Sequence, residues 1–137
     1  MATLVDTSGL YALVDAAERD HGAVEEFVRR PAEPLLVPVS VLPEIDYLCV
    51  RRLGIRVEIA LLRSIASGEL ALESFTEADL QRSIELIEQY RDSDIGLVDA
   101  SIVATAERLR ITRILTLDHR HFRLFRPRHC PAFDLVP

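Results

Sequence analysis

Four acidic residues stand where chemistry is easiest to build: Asp6, Glu44, Asp99 and Asp118. Asp6 follows a short, apolar, partly β-branched run at 2–5, and Thr7, Ser8 and the helically spaced Leu10, Leu13 and Val14 come directly after it. That pattern sets an acid at the carboxyl end of a strand buried on both faces, with a helix starting within a residue or two. Asp118 in the same way closes the apolar run Ile114, Leu115, Leu117, while Glu44 and Asp99 fall in the opening turns of two expected helices. In an open α/β sheet, parallel topology brings such junctions to one rim, and that rim is where ligands bind. Each acid alone has a plainer use, because a carboxylate at a helix N-terminus gains about 0.3–1 kcal/mol from the helix dipole. Together they repel, so either some take up protons or a cation offsets the charge. Oxygen ligands without a histidine or thiolate pattern suit Mg²⁺ or Mn²⁺ better than zinc.

The elements that must hold these acids follow from periodicity and punctuation. A helix capped near Asp20 carries Val24, Phe27 and Val28 and ends before Pro31; an apolar run at 35–37, between prolines, reads as the second strand. Ser40 caps a helix reaching about Leu53, with Pro43 tolerated in its first turn, and Gly54 separates it from another at 55–67 that carries Ile59, Leu62 and Ile65 and stops at Gly68. A brief strand at 70–72 precedes a helix at 76–90 that opens with a Thr76/Asp79 capping box and buries Leu80, Ile84, Leu86 and Ile87. After the irregular stretch 91–101 comes a helix with Ile102, Ala106 and Leu109, then a strand at 114–117. HRHF at 119–122 is expected as a turn, with His119 and His121 as turn residues, and 132–136 as a last edge strand. Strands separated by helices predict an α/β sandwich: a central, mainly parallel sheet of four to five strands flanked by helices.

With 137 residues, 49% hydrophobic and 28% charged, the chain is expected to form one domain with a continuous core. No apolar run approaches the roughly 20 residues of a membrane span, and the start MATLVD lacks a signal-peptide pattern, so a cytoplasmic location without membrane attachment is expected. Cys49 and Cys130 are too few for a disulfide framework or a thiolate zinc site. There is no lysine, which excludes P-loop and Schiff-base chemistry. The net charge of −6 is unevenly spread: residues 1–107 carry −11 and residues 108–137 carry +5, the latter from seven arginines and two acids.

The order and spacing of LVDTSGLYAL at 4–13, VPVSVLPEIDYL at 37–48, GLVDASIVATAERL at 96–109 and ILTLDHRHF at 114–122 resemble the PIN-domain ribonucleases, and among them the VapC toxins of bacterial toxin–antitoxin pairs. The resemblance spans nearly the whole chain. It implies a single PIN domain over 1–137 with a three-layer sandwich, a carboxylate quartet of Asp6, Glu44, Asp99 and Asp118 that binds Mg²⁺ with Mn²⁺ as the alternative, and endonucleolytic cleavage of RNA. Thr7 and Thr116 match hydroxyl positions beside the acids that orient a carboxylate or a water, and Asp94 matches an acid often found five residues before Asp99. A VapB-type antitoxin whose tail covers the cleft, and a homodimer, are the implied partners. The arginines at 108, 110, 113, 120, 123, 126 and 128 would then attract phosphates, with Arg113, Arg120, Arg123, Arg126 and Arg128 as the RNA-binding candidates. Two other readings compete. Phosphoryl transfer through an aspartyl intermediate also uses an acid after the first strand, but the missing lysine speaks against it; a non-catalytic PIN-like module that binds protein or RNA would show no metal-dependent cleavage.

Overall fold

In the computed structural model, which describes residues 2–30 and 33–137, the middle strand of the sheet is β1 (Thr3–Val5). It is followed by α1 (Thr7–Val14), α2 (His21–Arg29), β2 (Leu35–Pro38), α3 (Leu42–Arg52), α4 (Ile55–Ala66), β3 (Ala71–Glu73), α5 (Glu77–Gln89), α6 (Leu97–Leu109), β4 (Arg113–Leu115), α7 (His119–Leu124) and β5 (Asp134–Val136). The five strands are all parallel, in the order β3–β2–β1–β4–β5. Thr3 lies opposite both Leu35 and Arg113, so β2 and β4 flank β1 in matching register. Right-handed crossovers then place α1 to α4 over one face and α5 to α7 over the other, a three-layer sandwich. The layers agree with the packing, in which α1 touches α2 and α3, α3 touches α4, and α5 pairs with α6. The order reverses between β1 and β4, which makes their carboxyl ends the topological switch point.

Two features bring that point together. Gly9, in the first turn of α1, packs so closely on β4 that an added Cβ would lie 2.5 Å from the Leu115 carbonyl oxygen. Helix α6 is buried without a break from Ala100 to Ala106, and its small residues Ala100, Ser101, Ala104 and Ala106 let it lie deep against its neighbours. Its first turn, carrying Asp99, is therefore held at the rim of the sheet.

Several expectations are corrected. Strand β4 ends at Leu115 rather than Leu117, because the N–H groups of Leu117 and Asp118 turn to the hydroxyls of Ser8 and Thr116. HRHF is not a turn but the start of α7, capped by the Asp118 carboxylate, which accepts from the His121 N–H at 3.2 Å; Phe122 and Phe125 bury its apolar side. Ser40 does not cap α3: it sits in a 3₁₀ turn over Val39–Val41, and its hydroxyl pairs with Ser101 at 2.6 Å. The Thr76/Asp79 capping box forms as expected. Leu80 and Ile84 of α5 are 41% and 45% exposed instead of buried, as are Ile59 and Leu62 of α4 at 43% and 42%. The expected end of α2 before Pro31 agrees with its last residue, Arg29, although Pro31 itself lies outside the described residues. Among the described residues no helix is long and apolar enough to cross a membrane.

Candidate active site

Asp6 stands at the N-cap position of α1, yet its side chain does not cap that helix. Its Oδ2 instead accepts from Thr116 Oγ1 at 2.8 Å and from Ser8 Oγ at 3.0 Å. Each hydroxyl also accepts a backbone N–H from the loop after β4: Ser8 from Leu117 at 2.9 Å, Thr116 from Asp118 at 2.9 Å. A hydroxyl has one proton, and with both protons on Asp6 the 3.1 Å contact between Ser8 and Thr116 is a packing contact rather than a further hydrogen bond. The two residues thus clamp one carboxylate oxygen and fasten the loop that delivers Asp118. The place of Ser8 two residues after Asp6, on the same first turn of α1, is what turns it toward the loop after β4.

Asp99, third residue of α6, faces Asp118 across the switch point, and His121 lies between them with Nδ1 3.1 Å from Asp99 Oδ2 and 3.1 Å from Asp118 Oδ2. These three donor atoms lie within 4.8 Å of one another. Burial and the negative charges of Asp6 and Asp118 push the Asp99 carboxyl up to about 6, against a partial pull downward from His121. Burial likewise raises Asp6, and its hydroxyl and backbone hydrogen bonds oppose the rise. Both carboxyls resist ionisation chiefly because they are buried, and the neighbouring acids add to that resistance, most at Asp99.

An open cleft of about 860 Å³ exposes this group, and Asp6, Thr7, Glu44, Asp99, Asp118 and His121 all line it. Glu44, exposed in the first turn of α3, stands on the cleft wall. The Thr7 hydroxyl, which also lines the cleft, is buried and has no hydrogen-bond partner among the described residues. Asp94 is not in this cleft: it adopts a left-handed conformation (φ 54°) ahead of α6 and lines an adjoining depression with Asp92, Ser93, Arg120, His121 and Leu124. The donor set, the orphaned hydroxyl and the raised Asp99 all fit a bound divalent cation.

The arginines divide by what they touch. Arg113 begins β4, at the opposite end of the strand from Asp118, and pairs with Glu33 and Asp134; a residue that opens a strand cannot share the rim with acids that follow strand ends. Arg108 is held by Asp79 and Glu73, Arg128 by Glu85, and Arg126 donates to the carbonyls of Arg123 and Phe125. Arg120 and Arg123 are exposed, and among the described residues no ion pair engages them; Arg120 borders the depression that adjoins the cleft. One arginine that sequence reasoning passed over, Arg52 at the end of α3, lines the cleft itself with its guanidinium 5.5 Å over the Tyr11 ring. Nothing in its local sequence distinguishes it from Arg51.

The structure is thus an open parallel α/β sheet with a carboxylate cluster in the cleft at its switch point, the edge where ligands enter such sheets. The PIN domain model matches residues 3–126, and the chain belongs to that family. It is 40% identical over 134 residues to Ribonuclease VapC26 of Mycobacterium tuberculosis, covering 98% of this chain and 99% of the relative. Its fold is similar to that of M. tuberculosis VapC20, described as a sarcin–ricin loop cleaving toxin, with a TM-score of 0.80 at 24% identity over 87% of this chain and 92% of that one. VapBC2 of Rickettsia felis, solved bound to a DNA fragment from its promoter, matches over 100% of both chains with a TM-score of 0.70 at 17% identity.

Proposed function

We propose that the chain is a divalent-metal-dependent endoribonuclease, the toxin half of a toxin–antitoxin pair acting in the cytoplasm. The observation that carries the reading is the convergence of Asp6, Asp99 and Asp118 on one cleft, with Asp99 pushed up to about 6. The near-full-length likeness to a ribonuclease supports the reaction class.

Asp6, Asp99 and Asp118 would hold Mg²⁺, or Mn²⁺ in its place, with Glu44 either completing the set or orienting the attacking water. A divalent cation held there supplies Lewis-acid polarisation of the phosphodiester and a more acidic water at neutral pH. The residues around it supply order. Ser8 and Thr116 fix the orientation of the Asp6 carboxylate through Oδ2. Thr7 offers its unpartnered hydroxyl to a water or phosphate oxygen. Arg52 on the cleft wall and Arg120 beyond His121 attract the phosphates on either side of the scissile bond, which the acidic centre would otherwise repel. Single-stranded or loop RNA suits an open cleft, since its bases can be splayed and read.

Exposed apolar side chains lie on α3 and α4 (Tyr47, Val50, Ile55 and Ile59) and on α5 (Leu80 and Ile84), and they are the candidate contacts for the antitoxin and for a second copy of the chain. Brief induction in cells followed by mapping of RNA ends tests the reading. New 5′ ends at a restricted set of sites are expected, absent when Asp99→Asn is induced to the same level. Growth arrest without new RNA ends would remove it.

A further inference from the structure

We infer that His121 is a direct ligand of the cation beside Asp99 and Asp118, added to the carboxylates proposed above, so that the site is a mixed nitrogen–oxygen centre that favours Mn²⁺ over Mg²⁺. The inference rests on the proposed metal site and goes beyond its carboxylates. Its ground is how the imidazole is held. Asp118 spends Oδ1 on the His121 N–H, which fixes the start of α7, and keeps Oδ2 directed at the ring. Phe122, the next residue, is 1% exposed and anchors the short helix in the core, which fixes the backbone from which the ring reaches the cleft. Nδ1 is then 3.1 Å from one oxygen of each aspartate.

Those two contacts are hydrogen-bonding distances that also suit coordination. Neighbouring ligands of an octahedral ion with bonds of about 2.1 Å are separated by √2 times that length, about 3.0 Å. Both nitrogen–oxygen separations match such an edge, and the third separation, within 4.8 Å, is open to either a neighbouring or an opposite pair. A cation set against these three atoms meets its ligands with little rearrangement, whereas one confined to the carboxylates would have to displace a ring that is already in place. The choice of ion follows. Mg²⁺ takes oxygen and gives up water reluctantly, while an imidazole nitrogen is a better partner for a transition metal. Mn²⁺ is expected to bind at least tenfold more tightly than Mg²⁺, and His121→Gln to remove most of that preference while the carboxylates still bind both ions weakly.

Pulsed electron paramagnetic resonance of Mn²⁺ bound to the full chain, purified free of partner, reads the nitrogen directly. Wild type should show ¹⁴N modulation that changes to the ¹⁵N pattern when histidine alone is ¹⁵N-labelled. The modulation should persist in His119→Gln and vanish in His121→Gln. Labelled wild type and His119→Gln decide the matter even if His121→Gln does not fold. Bound Mn²⁺ without nitrogen modulation, or modulation lost in His119→Gln, overturns the role of His121 and leaves the carboxylate site standing. Failure of wild type to bind Mn²⁺ at millimolar concentration overturns both.

Discussion

Replacing Asp99 by asparagine sets folding against function in a way the site makes quantitative. The carboxyl moves from its ordinary 3.8 to about 6 in the folded protein. Roughly two units at 1.36 kcal/mol each come to about 3 kcal/mol. Below pH 4 the group is protonated in both states and costs nothing. Between about pH 4 and 6 the unfolded chain releases its proton while the folded one retains it, so stability falls as pH rises, and above pH 6 the full cost is present. Asparagine removes that cost at pH 7.5 and forfeits a helix-dipole interaction of about 0.3–1 kcal/mol together with the contact to His121. The net gain should be about 1–2 kcal/mol, or roughly 5 °C in Tm for a chain of this size. Thermal melts of both proteins in EDTA from pH 4 to 7.5 give the test, because titrating groups remote from Asp99 cancel in their difference and leave Asp99 with the neighbours it touches. The difference should open between pH 4 and 6 and then level off. Mn²⁺ should raise the wild-type Tm, by the equivalent of about 2.7 kcal/mol at a hundredfold excess over Kd, and raise that of the variant far less. A variant less stable than wild type at pH 7.5 in EDTA, or a difference that stays flat with pH, would refute the crowding of these acids.

Ser8→Ala strips a hydroxyl from Asp6 and the acceptor from the Leu117 N–H; urea denaturation should show a loss of about 1–3 kcal/mol, and a neutral result would make the clamp ornamental. Gly9→Ala drives a Cβ onto the Leu115 carbonyl, so Tm should fall by the equivalent of about 2–3 kcal/mol, with RNA cleavage impaired even at temperatures where the protein is folded. Arg52→Gln should weaken binding of RNA in EDTA and lower the salt slope of affinity by about one, read by fluorescence anisotropy. Arg113→Gln should leave that slope unchanged and cost about 1 kcal/mol of stability through its lost pairs; the opposite assignment of the two slopes would reverse the path given to the RNA.

The sheet was legible because its strands are short apolar runs with helices between them, and parallel order follows from that alternation. Asp6 and Asp99 were legible for the same reason: each sits at a junction of two periodicities. His121 was not. Six residues of helix are too few for a 3.6-residue repeat to emerge, and the Asp118 carboxylate, besides lining the cleft, is also the cap that makes HRHF helical. Counting charge along the chain groups Arg113 with the other C-terminal arginines, whereas opening β4 puts it at the far end of the strand from Asp118, paired with Glu33 and Asp134. Leu80 and Ile84, apolar at helical spacing yet 41% and 45% exposed, show that such a stripe marks an apolar face without establishing that this chain covers it.

Single-turnover cleavage of an end-labelled RNA by wild type and Asp6→Asn, each purified free of partner and assayed with Mn²⁺, with Mg²⁺ and with EDTA, bears most directly on the acids as the seat of a metal-dependent ribonuclease. Wild type should cut only with a divalent ion, and Asp6→Asn, correctly folded by circular dichroism, should cut at least roughly a thousandfold more slowly, because the lost charge both loosens the ion and misplaces the water it activates. Equal rates for the two proteins, or wild-type cleavage that persists in EDTA, would contradict it.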